Sequence, residues 1–244
     1  MKALLYLVLV FSLTACAQPV YGKRPNPPIP MPMTNVATRG ALQGKAVSPD
    51  KYLLKPESQA LIILDPGHGG RDLGTHSKNT PKYQEKTLTL TTSRLVRGYL
   101  EKMGYTVAMT RNRDVFIPLE KRSEFANSRQ PEVFVSIHFN SAPNKQAEGI
   151  EIFYYGTDDD KKRKNDSKSL AQNILKRIVK NTSAKSRGVK HGNLSVVRET
   201  TMPAVLVEGG FLTNEKEEQK IQDMDYLKKL AKGIAQGIND YVSR

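Results

Sequence analysis

The chain has 244 residues, 38% hydrophobic and 25% charged, a balance that suits a soluble globular protein and argues against a disordered chain or a polytopic membrane protein. Its formal net charge of +14 and pI near 9.7 favour polyanionic surroundings (nucleic acid, acidic lipid or an anionic cell-wall matrix) without choosing among them. The single cysteine, Cys16, excludes an intramolecular disulfide and a cysteine-rich zinc site.

The first residues read as an export signal. Lys2 supplies a positive start, and Ala3 to Leu13 form an apolar run too short for the ~20 residues that span a bilayer. Leu13-Thr14-Ala15-Cys16 resembles the bacterial lipobox, in which the cysteine is lipidated and becomes the new N-terminus. Residues 1–15 are therefore expected to be a lipoprotein signal peptide and Cys16 the lipidation site. The expected location is the periplasm, with the chain held to a membrane. Ala17 in place of aspartate after the cysteine favours the outer membrane.

Residues 16–58 read as a lipid-anchored linker. Eight of the chain's 14 prolines fall there, and Pro25 to Pro32 should be extended and partly polyproline II. From residue 59 to 244 the pattern changes to alternating strands and helices. Strands are expected at Leu61–Leu64, Tyr105–Thr110, Val133–Ile137, Gly149–Tyr155 and Ala204–Val207. Helices are expected at Glu85–Met103, Leu119–Arg129, Ser169–Val179, Asn214–Ile221 and Tyr226–Val242. This alternation predicts the α/β class: a single three-layer domain, its twisted sheet mostly parallel or mixed, with helices on both faces.

Four ionisable residues occupy similar settings in this pattern. His68 follows the first strand on the turn Asp65-Pro-Gly-His-Gly-Gly70, His138 and Glu208 each follow an apolar strand, and Glu85 opens a helix. Sites in open α/β sheets gather outside the carboxyl ends of strands. Two histidines with one carboxylate form a common catalytic zinc set, and the remaining glutamate can shuttle the proton of an activated water. Taken singly, each has a plainer reading: a hydrogen-bonded loop histidine, a helix-dipole partner, a turn cap.

Four blocks in order give the pattern a family. They are Leu64 to Gly74; Glu85 at its helix start; Thr110-Arg-Asn-Arg-Asp114 with Leu119, Arg122 and Ala126-Asn127 leading into Phe134-Val-Ser-Ile-His-Phe-Asn140; and Arg187-Gly-Val-Lys190 with Val197-Arg198 and Met202 to Asn214. From about Leu61 to Val242 the chain resembles the zinc-dependent N-acetylmuramoyl-L-alanine amidases of the bacterial cell wall. The resemblance implies that His68, Glu85 and His138 bind Zn2+ and that Glu208 is the catalytic carboxylate. The reaction implied is hydrolysis of the amide between the lactyl group of N-acetylmuramic acid and L-alanine of the peptidoglycan stem peptide, in wall remodelling or daughter-cell separation. Asn140 is placed to orient the substrate amide or simply to form a turn; Arg187 and Lys190, to meet substrate carboxylates or face solvent. Phe139 departs from the small residue of many relatives and is expected to narrow the groove.

Two other functional classes are weaker. A zinc carboxypeptidase on stem peptides commonly spaces its ligands His-x-x-Glu, but Arg71 stands three after His68. A non-catalytic peptidoglycan-binding lipoprotein would lack a ligand or Glu208, and none is missing. Nucleic acid is not expected as a partner, since no recognisable binding motif is present. The chain is expected to be a monomer, membrane-associated only through Cys16, with a division protein as a candidate recruiter. The interval between His138 and Glu208 leaves room for one long helix, so a second, site-blocking helix is not expected.

Overall fold

The computed structural model describes residues 60–77 and 83–244. The expected signal peptide, Cys16 and the linker lie outside the described residues, as does Gln59. Six strands and six helices follow in order: β1 Leu61–Pro66, α1 Glu85–Lys102, β2 Thr106–Met109, α2 Leu119–Asn127, β3 Val133–Asn140, β4 Ile150–Tyr154, α3 Lys161–Thr182, β5 Ser186–His191, α4 Ser195–Arg198, β6 Ala204–Phe211, α5 Glu215–Gln222 and α6 Met224–Val242. No helix among the described residues is long and apolar enough to cross a membrane.

The strands form one mixed sheet in the order β2-β1-β3-β6-β4-β5. β2, β1, β3 and β6 run parallel, whereas β4 pairs antiparallel with β6 and parallel with β5. The strand alternation explains the layers. Ile62, Leu64, Val133, Val135, Val205 and Val207 point to one face and pack with apolar residues of α1, α3 and α6. Ile63, Phe134, Ala204 and Leu206 point to the other and meet Ala126 of α2 and Val196 and Val197 of α4. The three-layer α/β architecture is as expected. Its layers are unequal: α4 has four residues and α2 nine, so the second face carries the thinner cover.

The differences from expectation have local causes. α3 begins at Lys161, taking in most of the charged run that sequence left outside the helix. Lys and Arg are good helix formers, and Asp160 caps the end by accepting from the Arg163 backbone N–H. This first stretch carries no apolar stripe, so periodicity could not reveal it. β5 was not expected, because Ser-Arg-Gly-Val-Lys-His shows neither alternation nor an apolar run; it is an edge strand held by its pairing to β4. β3 and β6 extend further than expected, to Asn140 and Phe211. His138 and Glu208 therefore lie within strands, towards their carboxyl ends, rather than past them.

α6 crosses α3 at backbone contact. A Cβ on Gly233 would come 2.7 Å from Ile178 Cα, and one on Gly237 would overlap Ile174 Cα. Gly233→Ala gains about 1 kcal/mol of helix propensity, but the atom it meets is backbone. The expected net result is destabilisation of about 1–3 kcal/mol, read as a lower urea midpoint.

Candidate active site

β3, β6 and β4 bring one row of side chains together. His138 is the register partner of Glu208, and Glu208 of Glu151. Neighbouring positions 137, 207, 150 and 152 point into the larger core, so this row faces the thinly covered side. Directly after Glu208 the pairing slips: His138 opposes Glu208, but Asn140 opposes Phe211. The extra residue makes a bulge, and Gly210, at φ +123°, has the backbone conformation it needs. Phe139 does not narrow the groove. It is 2% exposed, its ring lies in the core, and a Cβ on Gly209 would meet that ring at 2.8 Å.

His68 and Glu85 reach the row from the β1–α1 side. Glu85 Oε1 lies 3.0 Å from His68 Nε2 and 3.0 Å from His138 Nδ1, and it accepts the Phe139 N–H at 3.1 Å; Oε2 accepts the Thr75 N–H at 2.9 Å. The two imidazoles meet edge to face, with centroids 4.9 Å apart. One ligand atom from each of His68, Glu85 and His138 lies within 4.8 Å of the others. Two imidazole nitrogens and one carboxylate oxygen make a donor set suited to catalytic zinc. The space around them is preserved by glycine: a Cβ on Gly74 would come 2.6 Å from Glu85 Oε2 and 2.7 Å from His68 Cδ2. The residues present fit a bound Zn2+.

The electrostatics point the same way. Burial alone would raise the Glu85 pKa, but hydrogen bonds from His138 and His68 hold it down at about 2. Burial opposes protonation of His68, but Glu85 and Asp72 outweigh it and raise its pKa. Glu208 goes the opposite way. Burial first, then the nearby charges of Glu85 and Glu151, push its carboxyl well above the usual range. Its Oε2 is the one buried carboxylate oxygen without a hydrogen-bond partner among the described residues. A carboxyl held ready to take a proton beside a metal-ligand set is the arrangement that general acid–base catalysis needs.

Residues to which the sequence assigned no role hold this geometry. His68 sits at φ +61°, an uncommon conformation for a side chain other than glycine. Two buried arginines hold its turn. Arg111 donates to the carbonyls of Pro66 and Gly67 at 2.9 and 2.7 Å; Arg122 donates to those of Pro66 and His68 at 2.7 and 2.8 Å and to Asp65 Oδ1 at 2.8 Å. Asp72 Oδ2 lies 2.9 Å from His68 Nδ1, which leaves Nε2 to face Glu85. Such partners orient a ligating imidazole. Asp72→Ala is expected to weaken zinc affinity about 10–100-fold, measured by competition with a chromophoric chelator. The sequence signal for Asp72 was its i+4 spacing from His68; for Arg111 and Arg122 there was only their place in the third motif block.

Asn140 and Arg187 come together on Glu151. Asn140 Nδ2 donates to Glu151 Oε1 at 2.6 Å, while its Oδ1 accepts the Ser141 N–H at 2.8 Å, which is turn geometry. Arg187 Nε and Lys190 Nζ donate to Glu151 Oε2 at 2.7 and 2.5 Å. The β4–β5 register skips Arg187 between Ser186 and Gly188, so the arginine is a bulge residue turned towards Glu151. Glu151 could have been found as the one polar position in Ile150-Glu-Ile152. His191 lies elsewhere, its Nε2 3.0 Å from the Gly156 carbonyl oxygen.

Residues 62–240 match the family model described as N-acetylmuramoyl-L-alanine amidase. The chain belongs to that family. It is 32% identical over 189 residues to LytH, a probable cell wall amidase of Staphylococcus saprophyticus, covering 78% of this chain and 60% of the relative. It thus spans about three-fifths of that relative's length. The N-acetylmuramoyl-L-alanine amidase of Clostridium difficile 630 superposes with a TM-score of 0.70 at 39% identity, covering 76% of this chain and 97% of the other. The CwlD amidase of Clostridioides difficile, solved in complex with the GerS lipoprotein, superposes with a TM-score of 0.70 at 31% identity over 76% and 99% of the two chains. These amidase structures share the overall fold described above.

Proposed function

We propose that this chain is a zinc-dependent N-acetylmuramoyl-L-alanine amidase that cleaves the lactyl–L-alanine amide of peptidoglycan. The carrying observation is the convergence of His68, Glu85 and His138 beside Glu208, whose buried Oε2 has no partner. His68, Glu85 and His138 would hold the metal, with Asp72 fixing the His68 ring. A bound Zn2+ would supply Lewis-acid polarisation of the amide carbonyl and acidify its water. Glu208 takes a proton from the attacking water and returns it to the alanine nitrogen as the C–N bond breaks. Its raised proton affinity suits both halves of that exchange. Glu151 draws Arg187 and Lys190 to the end of the row, where they can meet the carboxylates of a stem peptide.

The cellular reading follows from the N-terminal residues: Cys16 is lipidated and tethers the enzyme in the periplasm, at the outer membrane, for wall remodelling or daughter-cell separation. A Cys16→Ala chain should move from the membrane to the soluble fraction. The enzyme is not strongly self-inhibited. Between His138 and Glu208 the one long helix, α3, buries Leu170, Ile174 and Ile178 in the core on the face opposite the site. An activity rise of orders of magnitude on adding a partner protein would contradict this.

The test is digestion of purified peptidoglycan by the full chain, with and without chelator and zinc rescue, read by mass spectrometry. Free stem peptides beginning at L-alanine, lost on chelation and regained with zinc, are expected. Release of terminal D-alanine alone would instead establish a carboxypeptidase. Binding without cleavage would leave a wall-binding lipoprotein.

A further inference from the structure

A cleft adjoins the metal-ligand set. It encloses 420 Å³ beside His68 and His138, its apolar lining supplied by Phe116 and Leu119 from the segment before and at the start of α2 and by Leu194 and Val196 at α4. The volume falls within the range of small-molecule sites. Phe116 is 37% and Leu119 55% exposed, so two large apolar side chains stand in solvent at its wall. Asp65 and Arg122 also line it, but they are paired with each other at 2.8 Å.

The Phe116 wall is tied to the metal-binding turn. The backbone at residues 115 and 116 lies against Gly69 and Gly70, where a Cβ on Gly70 would come 2.6 Å from Phe116 N. Asp114 accepts from the Gly70 N–H at 2.7 Å and from Lys86 at 2.8 Å, and Arg122 bonds both the Ile117 and His68 carbonyls. The Arg71 guanidinium lies 4.5 Å from the Phe116 ring centroid. The apolar surface is thus held in fixed register with His68.

Charge differs between the two ends of the site. Beyond Glu208 the row ends in Glu151, Arg187 and Lys190, a cluster carrying one negative and two positive groups. The stem peptide bears carboxylates, which the apolar walls of the cleft would desolvate at a cost and which Asp72, also in its lining, would repel. The muramoyl ring offers C–H faces and an acetyl methyl and carries no charge once its lactyl carboxyl is in amide linkage.

We propose that the cleft between Phe116 and Leu194 is the saccharide subsite, taking the N-acetylmuramoyl ring while the stem peptide leaves towards Arg187. This rests on the amidase reading.

The test compares N-acetylmuramoyl-L-alanyl-D-isoglutamine with D-lactoyl-L-alanyl-D-isoglutamine, which keeps the scissile amide and lacks the ring. Removing the ring should lower kcat/KM of the wild-type full chain about ten-fold, and that loss should shrink to about two-fold in Phe116→Ala, in keeping with the size of one ring contact. The ring-less substrate is the internal control for folding. In parallel, methyl N-acetylmuramoside as its neutral lactamide is titrated into the full chain while the Leu194 and Val196 methyl resonances are followed; they are expected to shift. A variant that loses the same factor on both substrates, or wild-type enzyme indifferent to the ring, assigns the cleft to the peptide and overturns the proposal. Shifted methyls with neither substrate cleaved keep the subsite and reject the amidase reading. Cleavage with unmoved methyls does the reverse.

Discussion

Glu208→Gln should lower kcat on peptidoglycan by a factor on the order of 10²–10⁴, the range that a positioned acid–base group contributes, while zinc content stays at the wild-type level. The amide keeps the volume of the side chain but can neither accept the water's proton nor deliver one to the leaving nitrogen. The three metal-ligand residues are untouched, because Glu208 is outside the set made by His68, Glu85 and His138. Folding should not suffer. The wild-type carboxyl is buried beside Glu85 and Glu151 with Oε2 unpartnered, so replacing it by a neutral group removes an unfavourable burial. The variant should therefore melt at or above the wild-type temperature. Activity loss with unchanged zinc and undiminished stability separates a proton carrier from a fourth ligand or a structural carboxylate. Loss of zinc along with activity would contradict the assignment.

Arg122→Ala is expected to have the largest effect on stability. Arg122 is 2% exposed and Asp65 fully buried, and removing one partner of such a pair costs about 3–5 kcal/mol because the other charge is left alone in the interior. The carbonyls of Pro66, His68 and Ile117 lose a donor in the same change. Thr110 and Ser136 still donate to Asp65, at 2.6 and 2.8 Å, which keeps the penalty from being larger. The effect has a pH signature. Burial pushes the Asp65 carboxyl up, but the Arg122 charge and three hydrogen bonds outweigh it, so its folded pKa lies below the ordinary value. A depressed folded pKa contributes stability above the unfolded value of about 3.9, lost as pH falls through the lower folded value. Without Arg122 the burial effect gains weight and the depression weakens or reverses. The gap between variant and wild type should be wide at pH 7 and close progressively as pH falls below about 4 towards the lower folded value. Urea unfolding of the metal-free chain at both pH values measures it. Equal gaps would show that lost packing, rather than the stranded charge, sets the cost. Zinc affinity should also fall, since the His68 turn loses one of the two arginines that hold it.

Much of this organisation was legible in the residues themselves. The apolar strands Leu61–Leu64, Val133–Ile137 and Ala204–Val207 announced the sheet because continuous apolar runs bounded by turns are what a sheet buried on both faces requires. The amphipathic spacing of Ser169–Val179 and Tyr226–Val242 announced the helices covering its larger face. Elements too short or too polar to show a period left no trace: β5, held by its pairing to β4, the four-residue α4, and the polar start of α3, capped by Asp160. The site was legible through His68, Glu85, His138 and Glu208, whose settings repeat. Glu151 was not, because its role depends on β4 running antiparallel to β6, which places it opposite Glu208. Neither was the engagement of Arg187, which depends on a bulge in the β4–β5 register. Register across a sheet is a tertiary property, and no local pattern carries it.

The most direct test of the central claim is the metal content of the full chain purified without added metal, by inductively coupled plasma mass spectrometry, for wild type and His138→Ala. The expected result is one zinc per wild-type chain and a large loss in the variant, both folded by circular dichroism. Wild-type protein that takes up no zinc even when it is supplied, or a variant that keeps its full equivalent, would show that His68, Glu85 and His138 do not form the metal site.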